Sequence, residues 1–335
     1  MSIPVQPAAV TEAEQAAPPS QSFAALQART QRFTLGTPRE FRVSPRGDRV
    51  LFLRSPSATE APHALYSMDT ATGTERRLVD PATLGVDEQD VPAEERARRE
   101  RSRTQGGGVM GYACDVEFTV AAFMLAGRLY GLDLHTAQVS ELAASRPVID
   151  PRPDPTGRRV AYVCGGAVHL LDLTSGQDSV LAARAEDESE DVEWGLAEFV
   201  AAEEMSRSRG YWFAPDGERL LIARADRSAV PRWHISDPAD PSGAPRTVAY
   251  PAAGCANVAV TLWFMDIRGE RLQVTWDDTA FPYLVEVYWS AAGEPLALVQ
   301  SRDQRETRIL AIGADGATRC LHAETDPHWV EITTG

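Results

Sequence analysis

The sequence has few cysteines and no long apolar segment. Only four cysteines occur in 335 residues, and no two of them are spaced as a CxxC metal or redox pair. No run of 18 apolar residues is present, so we expect no membrane-spanning helix. The first 21 residues lack the basic start and the apolar centre of a signal peptide. Provided that Met1 is the natural start, these absences predict reduced cysteines and a cytoplasmic location.

Basic residues are also scarce. The chain has 33 Lys and Arg residues against 48 Asp and Glu residues, which gives a formal net charge of −15. A surface with this balance repels the phosphate backbone of nucleic acids. Together with the missing apolar run, the charge balance predicts that neither a nucleic acid nor a membrane is a partner.

The usual signatures of catalysis and cofactor binding are missing as well. No serine lies in a Gly-x-Ser-x-Gly elbow, and no HExxH, P-loop or Rossmann glycine pattern occurs. No motif surrounds any of the six histidines, which are His63, His135, His169, His234, His322 and His328. The sequence therefore predicts no catalytic residue, no metal site and no cofactor in this chain.

What the sequence does contain is a recurring β-rich unit, which begins at Phe41. Each unit places a tight turn between two segments rich in Val, Ile, Leu, Phe and Tyr, which favour strands. The clear copies turn at Pro45–Gly47, Pro155–Gly157 and Pro215–Gly217, and weaker copies turn near Gly127 and Gly293. Proline fixes φ at the first corner and glycine accepts a positive φ. Four short antiparallel strands per unit are typical of a propeller blade, so we predict an all-β fold, a β-propeller of about five four-stranded blades.

The same pattern predicts how the chain is divided. Residues 1–32 form a flexible leader with a short helix near its end, and residues 33–335 form the propeller. Two insertions interrupt the blades, at 86–112 and 184–210. Apolar residues at helical spacing predict a short amphipathic helix over 196–205 in the second insertion.

The second insertion begins an ordered set of short motifs. An acidic doublet, Glu203-Glu204, comes first, and six short elements follow it in order. They are the aromatic pair Tyr211-Trp212, the turn Ala214-Pro215-Asp216-Gly217, and then Val230-Pro231, Tyr250-Pro251, Ala253-Gly254 and Asn257. This order resembles the propeller of the dipeptidyl peptidase IV branch of the prolyl oligopeptidase family, and the likeness covers most of residues 33–334.

The resemblance implies a domain that caps a serine peptidase active site and screens substrates. In that family the acidic doublet, here Glu203 and Glu204, holds the free amino terminus of a peptide. Two carboxylates offer four acceptor oxygens to the three donors of an ammonium group. An internal peptide bond offers no cation and would leave both acids unpaired. The alternative is that the doublet is an ordinary solvated helix face.

The resemblance also implies an arginine from the first insertion that contacts the substrate backbone carbonyl. Arg101 and Arg103 are the candidates, and we favour Arg103 as the third substrate-binding residue. The alternative is that either arginine forms an ordinary salt bridge on a helix surface.

Family members also carry an α/β-hydrolase domain with the catalytic serine, and their propellers have eight blades. The resemblance therefore predicts an incomplete propeller, cut short before its catalytic domain and inactive as a peptidase on its own. The expected partners are a peptide with a free N-terminus and a separate catalytic α/β-hydrolase chain or domain. The alternative function is a β-propeller scaffold for protein interactions, without a peptidase role.

Overall fold

The computed structural model describes residues 22–85, 107–239 and 242–333. Before the sheets, a short helix α1 spans Phe23–Arg29, and the Ser22 hydroxyl caps it by accepting the Ala25 N–H. A single 3-10 turn lies at Pro81–Leu84. No helix within these ranges has the length and apolarity needed to cross a membrane.

Five antiparallel sheets follow one another along the described chain. The first contains β1 (Arg39–Val43), β2 (Arg49–Arg54), β3 (Ala64–Asp69) and β4 (Glu75–Val79). The second contains β5 (Tyr112–Cys114), β6 (Val120–Leu125), β7 (Arg128–Asp133) and β8 (Val139–Glu141). The third contains β9 (Ile149–Pro153), β10 (Arg159–Cys164), β11 (Ala167–Asp172) and β12 (Asp178–Ala182).

The fourth sheet is the most elaborate. Its path is β13 (Val192–Trp194), β15 (Arg219–Asp226), β18 (Ala259–Asp266) and β19 (Arg271–Val274), and β14 (Tyr211–Phe213) also pairs with β15. A two-stranded ribbon, β16 (Arg232–Ile235) with β17 (Arg246–Ala249), extends from it. The fifth sheet contains β20 (Tyr283–Tyr288), β21 (Leu296–Gln300), β22 (Glu306–Ile312) and β23 (Thr318–Thr325). The prediction of an all-β propeller of about five blades is confirmed, with four strands in each sheet except the fourth, which has five.

Side-chain alternation along the central strands explains how the sheets stack. In β15, Leu220 and Ile222 pack into the core shared with the third sheet. Leu221 and Ala223 point the other way, into the core shared with the fifth sheet. Successive side chains of a strand face opposite sides, so a sheet buried on both faces needs a continuous apolar run. The uninterrupted apolar segments of the sequence therefore encode stacked blades.

The Pro-x-Gly turn of the third sheet is built from a buried acid and a left-handed glycine. Asp154 is fully buried, and one of its carboxylate oxygens accepts the Thr156 and Arg158 N–H groups at 3.0 Å each. Gly157 follows with a φ of +69°. A Cβ at Gly157 would lie 2.9 Å from the Thr119 hydroxyl oxygen, so only glycine fits there.

Five strands, one from each sheet, line a common cavity at the centre of the fold, which we call the channel. The Tyr112 hydroxyl on β5 donates to the Glu40 carbonyl on β1 at 2.8 Å. On β14, the Trp212 indole N–H donates to Glu286 on β20 at 3.3 Å. A cavity of about 420 Å³ lies between these strands, with lining residues from β1, β5, β9, β14 and β20.

Candidate functional site

The acidic doublet lies on a helix of only six residues. Helix α2 spans Phe199–Glu204, within the predicted range of 196–205. Its N-cap is Glu198, whose carboxylate accepts the Ala201 N–H at 3.2 Å. A helix this short is not stable on its own, so tertiary contacts must fix its position.

A buried ion pair supplies one of these contacts. The Arg207 Nη2 lies 2.7 Å from the Glu198 Oε2, and the two side chains are 0% and 5% exposed. The other Arg207 nitrogens donate to backbone carbonyls, Nε to Leu284 at 3.1 Å and Nη1 to Arg209 at 2.9 Å. Because Leu284 belongs to β20, the pair ties the start of α2 to the fifth sheet.

Apolar contacts hold the remaining faces of α2. Ala201 is fully buried and Met205 is 6% exposed. The Phe199 ring meets Tyr250 edge to face, with ring centroids 5.3 Å apart. Tyr250 in turn contacts Trp233 of the ribbon at 4.6 Å. The helix is therefore clamped between the fourth sheet, the fifth sheet and the ribbon.

Glu203 and Glu204 occupy the last turn of this clamped helix, and both are exposed. Among the residues that the structure describes, neither carboxylate has an ion pair or a hydrogen bond. Negative charge at a helix C-terminus opposes the helix dipole, and two adjacent acids also repel each other. The doublet is thus placed where it contributes nothing favourable to the stability of the helix.

The predicted arginine, Arg103, and its alternative, Arg101, lie outside the described residues. The chain resumes at Gly107, whose carbonyl accepts the His63 N–H at 2.8 Å, and it leads directly into β5. Helix α2 similarly leads into β14. Residues 107–111 and helix α2 therefore each precede a strand that lines the cavity. The assignment of Glu203, Glu204 and Arg103 to one site stays a prediction.

The aromatic pair of the motif is structural. Tyr211 is fully buried, and its hydroxyl donates to the Ala161 carbonyl at 3.0 Å and to the Asp150 carbonyl. Burial raises the pKa of the Tyr211 hydroxyl well above its usual value, so the group stays a neutral donor. Trp212, 4% exposed, packs into the core between the fourth and fifth sheets.

Sequence reasoning missed Glu198, Arg207 and Arg209. Arg207 and Arg209 lie in the polar segment after the doublet, which reads as an exposed loop. The acceptor of Arg207 at Leu284 is 77 residues away in the sequence. Glu198 lies inside the predicted helical range of 196–205, and glutamate is not a preferred N-cap residue, so no local signal indicated its capping role.

Five stacked antiparallel sheets define a β-propeller domain. Residues 122–335 match the family described as "Dipeptidyl peptidase IV (DPP IV) N-terminal region". The match covers more than half of the chain, so the chain belongs to this family. The resemblance seen in the sequence is confirmed.

Individual relatives agree with this family. The chain is 25% identical over 236 residues to "Probable dipeptidyl-aminopeptidase B" of Aspergillus oryzae, covering 62% of this chain and 26% of the relative. It is 24% identical over 234 residues to "Dipeptidyl-aminopeptidase B" of Aspergillus niger, covering 62% and 25%. The chain thus spans about a quarter of the length of the curated relatives it matches.

A solved structure shows the same fold. The crystal structure of Porphyromonas gingivalis dipeptidyl peptidase 4 superposes with a TM-score of 0.65 at 17% sequence identity. The superposition covers 87% of this chain and 40% of that protein.

Proposed function

We propose that this chain is the non-catalytic, substrate-gating part of a dipeptidyl peptidase IV-like serine exopeptidase. In this proposal Glu203 and Glu204 bind the free amino terminus of a peptide substrate. Proteolysis is performed by an α/β-hydrolase domain or chain that partners the propeller. Membership of the N-terminal region family supports this assignment.

The proposal rests on a contrast between the acidic doublet and the Glu198–Arg207 ion pair that holds the helix in place. Glu198 and Arg207, which flank the short helix, are buried and paired with each other. Glu203 and Glu204 at its end are exposed and have no partner among the described residues. A rigid helix that presents two free acceptor groups is preorganised for a cationic ligand, because little ordering entropy remains to be lost on binding.

The expected chemistry is recognition of an ammonium group. Three N–H donors of a peptide amino terminus can be shared between the two carboxylates, in charge-assisted bonds of about 1.5–3 kcal/mol each. An acetylated terminus has no charge and one donor, so it loses most of these bonds. Such a site selects peptide ends over internal segments.

Calorimetric titration of the full chain with glycyl-prolyl-leucine and with its N-acetyl form tests the proposal. We expect the free amine to bind at least tenfold more tightly. The variants Glu203→Gln and Glu204→Gln should remove this preference, whereas the matched control Glu190→Gln, at an exposed acid of the preceding loop, should keep it. Equal binding of both peptides to the wild-type chain would refute the amine site.

The alternative, an interaction scaffold, is favoured by one feature. Trp233 and Ile235 on the β16–β17 ribbon are 49% and 45% exposed. Large exposed apolar side chains on a projecting ribbon are typical of protein-binding surfaces. The scaffold would be supported by two results. Peptide binding should be unaffected by either doublet variant, and binding of a protein partner should be lost in Trp233→Ala.

A further inference from the structure

A second polar cluster lies in the central channel, apart from the acidic doublet. The 420 Å³ cavity is lined by one strand from each of the five sheets, namely β1, β5, β9, β14 and β20. Three arginines line the cavity: Arg42 on β1, Arg152 on β9, and Arg209, which lies two residues before β14. Three arginines in one cavity are unexpected in a chain with a net charge of −15.

Two of these guanidinium groups, those of Arg152 and Arg209, are oriented by hydrogen bonds that use their Nε and Nη2 atoms. Arg152 binds Asp150 through Nε at 3.1 Å and Nη2 at 2.8 Å. Arg209 donates to the Tyr211 carbonyl through Nε at 3.0 Å and Nη2 at 2.7 Å. The Arg209 group also lies over the Trp212 ring, 5.4 Å from its centroid. In the described parts of the chain, the Nη1 of each arginine has no hydrogen-bond acceptor.

The two arginines also repel each other. Partial burial and the neighbouring charge of Arg152 lower the pKa of Arg209 to about 10. Desolvation by burial acts to lower the pKa of Arg152, but its ion pair with Asp150 outweighs that effect, so this pKa is raised. The cost of placing two like charges together therefore falls on Arg209. An anion bound between them would relieve this repulsion.

The nearby protein carboxylates are already occupied. Asp150 is taken by Arg152, and Glu286 accepts the Trp212 indole N–H and the Val287 N–H. Asp115 accepts three donors from its own turn, namely the Thr119 N–H, the Thr119 hydroxyl and the Val120 N–H. In the part of the chain that the structure describes, none of these acids accepts a hydrogen bond from the Nη1 of Arg152 or Arg209.

We propose that the free Nη1 groups of Arg152 and Arg209 bind a carboxylate of a peptide that enters the channel. A carboxylate matches the planar fork of arginine and carries one charge. A dianion such as phosphate suits the cavity less, because Asp115 lines it and Asp150 already neutralises Arg152. The rest of the lining is largely aromatic rings and prolines, which suit a peptide side chain next to its carboxylate. These apolar residues include Pro153, Trp212, Phe213 and Trp289.

The carboxylate can be the C-terminus of the peptide or an acidic side chain, and blocked peptides distinguish these sources. N-acetyl-glycyl-prolyl-leucine is titrated into the full chain as the free acid and as the C-terminal amide, and N-acetyl-aspartyl-prolyl-leucine amide is the third probe. All three lack a free amine, so the result does not depend on the acidic doublet. We expect the free acid, the aspartyl amide or both to bind about tenfold more tightly than the uncharged amide.

The variant Arg209→Gln should abolish this preference while keeping an N–H donor for the Tyr211 carbonyl. Arg209→Lys keeps the charge but not the fork, and should retain part of the preference. The matched control Arg76→Gln, at an exposed arginine of β4, should leave it unchanged. Equal binding of acid, aspartyl and uncharged peptides to the wild-type chain overturns the proposal. A preference that survives in folded Arg209→Gln overturns it as well.

Discussion

The guanidinium of Arg207 and the carboxylate of Glu198 form a buried ion pair whose atoms lie 2.7 Å apart. The same carboxylate caps α2, and the same guanidinium reaches a carbonyl of β20. One pair of side chains thereby fixes a six-residue helix between two sheets. Removing this ion pair should lower the free energy of unfolding. That loss can be measured separately from any effect of changing Glu203 or Glu204.

We expect Arg207→Leu to lower the free energy of unfolding by about 3–5 kcal/mol, because Glu198 is left as an unpaired buried charge. Urea denaturation measures this loss. The matched control Arg232→Leu breaks an exposed ion pair with Asp191 and should cost less than about 1 kcal/mol. The double variant Arg207→Leu with Glu198→Leu should recover part of the loss. Similar costs for Arg207→Leu and Arg232→Leu would contradict the structural role of the buried pair.

Glu204→Gln should have the opposite effect on stability. Removing one negative charge from the last turn of α2 should stabilise the chain by about 0.3–1 kcal/mol. Thermal denaturation at low ionic strength detects the change, which high salt should reduce. Loss of stability in this variant would mean that the carboxylate has a structural partner.

Asp154→Ala tests the buried turn of the third sheet. The carboxylate accepts two backbone N–H groups in a fully buried position, and alanine leaves these donors without a partner. We expect a loss of about 2–3 kcal/mol in the free energy of unfolding. Asp216→Ala, at a more exposed acid of the corresponding turn in the fourth sheet, is the control and should cost less. Equal losses would count against the burial argument.

His63 should make stability depend on pH. Burial, together with the charge of Arg39, lowers the pKa of this histidine from 6.5 to about 4. Between these values the unfolded chain binds more protons than the folded chain, so stability rises with pH. We expect the free energy of unfolding to increase by at most about 3 kcal/mol from pH 4 to pH 7 through this group. His63→Gln should flatten that part of the profile, and an unchanged profile would exclude His63 as the cause.

The full chain should not hydrolyse peptides by itself. Incubation with glycyl-prolyl-p-nitroanilide should release no p-nitroaniline above background. The reason is that no serine of the sequence lies in a nucleophile elbow. Release of p-nitroaniline by pure chain would contradict a purely non-catalytic role.

Local sequence patterns predicted the sheets but not the buried contacts that hold helix α2 in place. Turn residues and continuous apolar runs recur in each unit, so five blades follow from short-range information. The burial of Arg207 could not be predicted, because it depends on a carbonyl contributed by Leu284 of another sheet. The β16–β17 ribbon was missed for a different reason. Its two strands have only four residues each and are largely exposed, so they lack the continuous apolar run that marks the strands of the blades.

The position of a bound peptide terminus tests the central claim most directly. A crystal structure of the full chain with glycyl-prolyl-leucine should place the amino nitrogen about 3 Å from carboxylate oxygens of both Glu203 and Glu204. A peptide whose amino terminus lies elsewhere, with both acids left in open solvent, would contradict the proposed function.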